Sequence, residues 1–174
     1  GTNSLYSNKT GSYATAIGNR AMFYANDTTT PFINYNVATG YESLRGSTTP
    51  ANNTGTYNTA NGFQTMYNMT SGLGNTAVGS FSLFDTTTGN YNNAIGFNSL
   101  RYNTLGTNNV ANGVNALYSN TTAGQNIAVG SNALYSQSFS NGNAVYLANN
   151  VALGVEALYS NNPTATNNGK DNVA

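Results

Sequence analysis

The chain has 174 residues, no net charge at neutral pH, 6% charged residues, and neither His nor Cys. An average globular protein has roughly 25% charged residues, so this surface must be built mainly from neutral polar groups. Lys9, Arg20, Arg45, Arg101 and Lys170 are scattered, which excludes the clustered basic footprint needed for nucleic acid or an anionic membrane.

Taken in order, the predicted elements are copies of one frame, N-x-A-x-G-x-x-[AST]-[LM]-aromatic. The chain opens inside a copy, at Leu5-Tyr6. Strands are predicted around Ala16 and Ala38, separated by an insertion from Ala25 to Asn34 that contains Pro31. A second insertion, Gly46 to Asn53 with Pro50, precedes the strand around Ala60. Uninterrupted copies follow at Ala77, Ala94, Ala111 and Ala128. An insertion from Ser136 to Asn149 then precedes Ala152, and a last one around Pro163 precedes Ala174. The gaps between these alanines are 22, 22, 17, 17, 17, 17, 24 and 22. A fixed period of this size marks stacked repeats, in which each unit buries its apolar face only against its neighbours. The reading is an all-β, parallel β-solenoid (a β-roll) of about nine 17-residue coils with loop insertions, one array over residues 1–174. Because the chain starts and stops mid-repeat, it is expected to be a segment of a longer fibre or to continue head-to-tail into a neighbour. Any targeting segment would then lie outside it.

Abundant Asn, Thr, Ser and Gly also suit a disordered tract, but such tracts lack apolar residues in register. Here Leu or Met stands six residues after every frame alanine: Met22, Leu44, Met66, Leu83, Leu100, Leu117, Leu134 and Leu158. Stacked, these form a core ladder worth roughly 1.5–3 kcal/mol per buried side chain. Two residues before the alanine stand Asn36, Asn58, Asn75, Asn92, Asn109, Asn126, Asn150 and Asn172. An amide is both donor and acceptor, so identical Asn residues on successive coils can bond in a row.

The Asn, Ala and Gly of the frame alternate with a mainly β-branched set, as a strand of period two requires. A thin, two-stranded coil has room to bury only one face. The other, with Val78, Ile95, Val110, Ile127, Val129 and Val151, is expected to be an oligomer interface.

After the Leu column comes an aromatic one, with Tyr6, Phe23, Tyr67, Phe84, Tyr118, Tyr135 and Tyr159, and with Arg45 and Arg101 at the two remaining places. Its stacking stabilises coils, and the two Arg can lie across neighbouring rings. Tyr67, Tyr118, Tyr135 and Tyr159 are also candidates for ligand contact, because an aromatic ring offers a flat platform to sugars. Gly11, Gly55, Gly72, Gly89 and Gly106, five residues before the next alanine, are expected at turns of positive φ. The insertions enter this turn segment and are the expected contact loops. Five N-x-[ST] sequons, at Asn8, Asn26, Asn52, Asn68 and Asn120, fall there too and are possible glycosylation sites.

Catalytic chemistry has few candidates. Without His and Cys there is no Ser-His-Asp or Cys-His arrangement and no usual zinc set. Glu42 and Glu156 share a frame position, but at about 4.8 Å per strand step the intervening coils hold them about 30 Å apart, too far for a paired-carboxylate mechanism. The chain is expected to be no enzyme and to need no cofactor.

Asn149-Asn150-Val151-Ala152-Leu153-Gly154 and Asn126-Ile127-Ala128-Val129-Gly130 resemble the head repeats of YadA-like trimeric autotransporter adhesins. Similar arrays occur in fibre and tail-fibre proteins of viruses and phages, and the resemblance covers nearly the whole chain. It implies a left-handed parallel β-roll, three chains about one axis, displayed on a cell or virion surface for attachment. The expected function is thus an extracellular adhesive fibre segment, a homotrimer or head-to-tail homopolymer, touching host glycan or protein through its outer loops. Two alternatives stand beside it: a monomeric solenoid binding an ordered lattice of polysaccharide or ice, and a purely architectural filament subunit.

Overall fold

A computed structural model describes residues 1–137, 144–161 and 169–174. Its backbone is one parallel sheet with each coil stacked on the one before. The eight strands Thr15–Ile17, Val37–Thr39, Thr59–Asn61, Thr76–Val78, Asn93–Ile95, Val110–Asn112, Ile127–Val129 and Val151–Leu153 follow one another in sequence order. The ninth copy adds a single parallel bridge, Val151 to Val173. Frame alanines face one another at each step, Ala60 with Ala77, Ala77 with Ala94 and Ala94 with Ala111. The insertions therefore bulge out without shifting register. A one-residue slip would turn every Ala outward and every Val inward.

Each strand is short because the frame glycine ends it. At Gly79 φ is +126°, and an added Cβ would lie 2.6 Å from the carbonyl oxygen of Gly96 on the next coil. No side chain fits there on either count.

Every coil but the last has one such strand, and the second one expected appears only as two-residue pairs beside the first and third insertions. The opposite side of the coil is a stack of turns, and the core ladder rides on it in the left-handed region, with φ of +51° at Leu117 and +50° at Leu134. A bulky residue there costs roughly 1–2 kcal/mol, set against roughly 1.5–3 kcal/mol for its burial. Backbone pairing continues through the turns: Leu83 N–H donates to Ser99 C=O at 3.0 Å and Leu100 N–H to Ala116 C=O at 2.9 Å. Leu83, Leu100, Leu117 and Leu134 are completely buried and Leu44 nearly so, while Leu158 is half-buried.

Beside them runs the asparagine ladder. Asn75 Nδ2 donates to Asn58 Oδ1 (3.0 Å), Asn92 to Asn75 (3.1 Å), Asn109 to Asn92 (3.1 Å), Asn126 to Asn109 (3.0 Å) and Asn150 to Asn126 (3.2 Å). The same Oδ1 atoms also accept the backbone N–H of the following Asn. The second amide hydrogen reaches across the coil, from Asn58 to Gly72 C=O (2.8 Å) and from Asn75 to Gly89 C=O (2.8 Å).

That contact corrects the expectation for the turn glycines. Gly11, Gly55, Gly72, Gly89 and Gly106 are not among the positive-φ residues. Glycine is required there by crowding: a Cβ on Gly72 would meet Met69 Sδ at 2.4 Å and Gly89 O at 2.6 Å.

Two insertions add small parallel pairs beside the main sheet. Phe32–Ile33 pairs with Gly11–Ser12, and Tyr146–Leu147 with Ala123–Gly124. The second insertion carries a 3-10 turn, Pro50–Asn52. The insertion predicted around Pro163, and the middle of the one from Ser136 to Asn149, lie outside the described residues.

Candidate binding surface

The strand alternation sets the surface. From Tyr35 to Ala38 the residues are exposed, buried, exposed, buried, and the pattern repeats from Asn108 to Ala111. Val78, Ile95, Val110, Ile127 and Val129 are exposed and Val151 half-buried, all on the outward face. Within this single chain Val129 keeps 38% of its surface exposed and Leu117 none. The two apolar columns are thus separated: one filled from inside the coil, the other open.

The outward face is wider than the sequence reading placed it. Three residues after the alanine stand Tyr41, Phe63, Phe97 and Val114, all exposed. Three before it stand Tyr13, Tyr35 and Tyr57, stacked at centroid distances of 5.4 and 5.0 Å. Tyr91 continues that margin, its ring lying over Gly74. Both margins obey the period of two that flagged Val and Ile, and that period was the signal that could have found them. The first half of the face is therefore edged by aromatic rings. Its second half has Val110, Val114, Ile127, Val129 and Leu153 in place of rings, with Asn108, Asn112 and Gln125 exposed among them.

The four tyrosines singled out for ligand contact lie in the other aromatic column. Tyr118 and Tyr135 stack at 5.0 Å and 7°, Tyr135 and Tyr159 at 5.0 Å and 6°, and Tyr67 and Phe84 at 4.9 Å and 7°. Rings packed in this way cover one another's faces and leave edges and hydroxyls outward, so the flat platform for a sugar ring is taken within the stack. The two arginines fill the gaps: the Arg45 guanidinium lies 4.7 Å from the Tyr67 centroid, and that of Arg101 lies 5.1 Å from Phe84.

Rings beside this column meet it edge-on, Tyr24 at 82° to Phe23 and Phe81 at 61° to Phe84. Tyr102 stands 81° to Tyr118. The Tyr118 hydroxyl donates to that of Tyr102 at 3.4 Å, and this bond, with a smaller contribution from burial, holds the Tyr118 phenol above its ordinary value. Tyr146, within the third insertion, is also raised, by burial, against the lowering effect of the Gln137 amide that donates to it.

Among the described residues the ion pairs gather on one carboxylate. Glu42 is buried, pairs with Arg20 at 2.9 Å, accepts from Gln64 at 2.9 Å and lies 3.6 Å from Arg45. Glu156 is exposed six strands further along the sheet. Among the described residues no three His, Cys, Asp or Glu side chains are grouped to hold a metal, and no helix is long and apolar enough to cross a membrane.

The sequons separate by burial. Asn120 is fully buried and donates to Asn103 Oδ1 at 2.8 Å, and Asn26 is buried and caps Thr28. Asn8 donates to Gly11 C=O and Asn68 to Asp85 Oδ1. Asn52, in the second insertion, is exposed. The expectation that all five are sterically open is therefore corrected for Asn26 and Asn120, whose amides are enclosed in the fold. Comparison with protein-family models, characterised proteins and solved structures finds no match for this chain.

Proposed function

We propose that the chain is the non-enzymatic shaft of an extracellular adhesive fibre, displayed on a cell or virion surface. Copies of the chain associate through the outward strand face as a homotrimer, or head-to-tail as a homopolymer, and the outer loops make contact with the host. The observation that carries this reading is the outward sheet face, where exposed Val, Ile and Leu recur from end to end with Thr and Asn between them, as at Thr59 and Asn61, and aromatic rings edge the first half. An apolar stripe of this extent on a chain otherwise covered by Asn, Thr and Ser marks a protein interface. The opposite, turn-built side carries the insertions and faces solvent, which suits attachment.

The contact role of the loops is tested with the chain coupled to fluorescent beads and passed over animal and bacterial cell layers. Retention is expected, and it should fall when residues 46–53 are replaced by the short turn found in the uninterrupted coils. That variant keeps the repeat intact, since several natural coils do without the insertion. Beads that no cell layer retains, or that are retained equally well without the loop, contradict the adhesive reading.

A second reading, a lattice-binding monomer, draws on the row Thr70, Thr87, Thr104 and Thr121, one threonine per coil. Thr70, Thr87 and Thr104 already donate their hydroxyls to backbone carbonyls of the next coil, at 2.9 to 3.3 Å. That leaves less of the row free to order water or a crystalline polymer.

A further inference from the structure

Beside the second insertion lies an open cleft of about 580 Å³ whose floor is that threonine row. Ser47 of the insertion lines it, and Tyr102 lines it too, 39% exposed and set across the aromatic stack. Two further lining residues, Asn68 and Asp85, are bonded to each other at 2.9 Å. Asp85 has no cationic partner among the described residues, because the ion pairs there are those of Glu42 with Arg20 and Arg45. The cleft therefore offers threonine methyls, an aromatic side chain outside the face-to-face stack with the Arg101 guanidinium 5.7 Å from its centroid, the Thr70, Thr87 and Thr104 hydroxyl oxygens whose hydrogens are committed to the backbone, and a carboxylate outside any ion pair.

We infer that this cleft is a binding site for a neutral sugar residue of a host glycan, an inference that rests on the adhesive reading above. A pyranose presents apolar C–H patches to an aromatic or methyl surface and hydroxyl donors to acceptors. The polar atoms here are biased toward acceptors, since the Thr70, Thr87 and Thr104 hydroxyls already donate and Asp85 can only accept. The carboxylate also selects by charge, favouring hydroxyl donors and repelling an acidic sugar such as a sialic acid. Ligand sites are typically concave, largely apolar and fitted with a few placed polar groups, and this cleft has that composition.

The test uses the whole chain against immobilised neutral oligosaccharides ending in glucose, galactose, mannose or N-acetylglucosamine, together with sialylated counterparts. At least one neutral series is expected to bind and the sialylated ones to be rejected. Tyr102→Ala should weaken the neutral interaction at least tenfold, with melting behaviour retained because the ring is partly exposed. Asp85→Asn, which removes the charge and leaves an amide oxygen to accept from Asn68, should relax the rejection of sialylated glycans. Failure of every neutral glycan to bind, preference for the sialylated forms, or wild-type affinity in Tyr102→Ala overturns the assignment. If beads carrying Tyr102→Ala still adhere to cells in a loop-dependent manner at wild-type strength, the adhesive reading survives and the sugar cleft alone falls.

Discussion

Asn109 shows how one side chain joins three coils. Its amide donates to Asn92 Oδ1 and to Ala123 C=O, and its Oδ1 accepts from both the backbone and the side chain of Asn126, all without access to water. Asn109→Ala leaves several of these partners unmet, at about 1–3 kcal/mol each. A loss of at least about 3 kcal/mol is expected in chemical denaturation followed by circular dichroism. Asn109→Asp should be worse at neutral pH, because a carboxylate keeps the two acceptances but cannot donate to Asn92 or Ala123. Glu156 offers the opposite experiment. It sits at φ +58° where the preceding coils have Asn98, Asn115 and Asn132, which bond in a row at 3.2 and 3.1 Å. Glu156→Asn relieves the left-handed strain and adds a rung, so the melting temperature should rise, with a gain of roughly 1 kcal/mol. The raised Tyr118 and Tyr146 phenols mean that the folded chain holds these protons more tightly than the unfolded chain. Their contribution to stability is complete below the ordinary tyrosine value of about 10 and is lost as pH rises through their folded values. Alkaline denaturation should therefore coincide with late tyrosine ionisation in an absorbance titration.

At the scale of the coil, the strand was legible and the turn side was not. Alternation around Ala77 or Ala128 specifies a half-buried strand, and the unbroken Asn and Leu columns specify register, because only stacking in phase satisfies both. Nothing in a leucine signals φ near +50°, a region that L-residues avoid, so the second side reads in the sequence as another strand. The tyrosine margin was obscured by Gly74 and by Asn108, which interrupt its column. Tyr102 escaped notice because it belongs to no ladder, and its importance lies in its orientation. The core ladder itself makes a direct prediction. Leu117→Ala should cost about 2–5 kcal/mol, and Leu117→Asp should unfold the neighbouring coils, since it places an unpaired charge among buried leucines. Hydrogen exchange resolved by coil should show the loss centred on residues 100–134 and fading toward the ends, as nearest-neighbour coupling in a repeat array requires.

At the scale of the molecule, the two apolar columns differ in whether the chain itself covers them. Leu117 and its equivalents are satisfied within the chain, whereas Val110, Ile127 and Val129 are open over the second half of the sheet face. Val129→Asp should leave the far-ultraviolet spectrum and the melting of the isolated coil stack nearly unchanged while abolishing association, the reverse of Leu117→Asp. The most direct test of this account is the molar mass of the purified chain in solution by multi-angle light scattering. The account predicts self-association through the outward face, with a trimer at about three times the 18.2 kDa chain and a shift to monomer in Val129→Asp. A wild-type chain that stays monomeric at high concentration, or an assembly that Val129→Asp leaves intact, would contradict it.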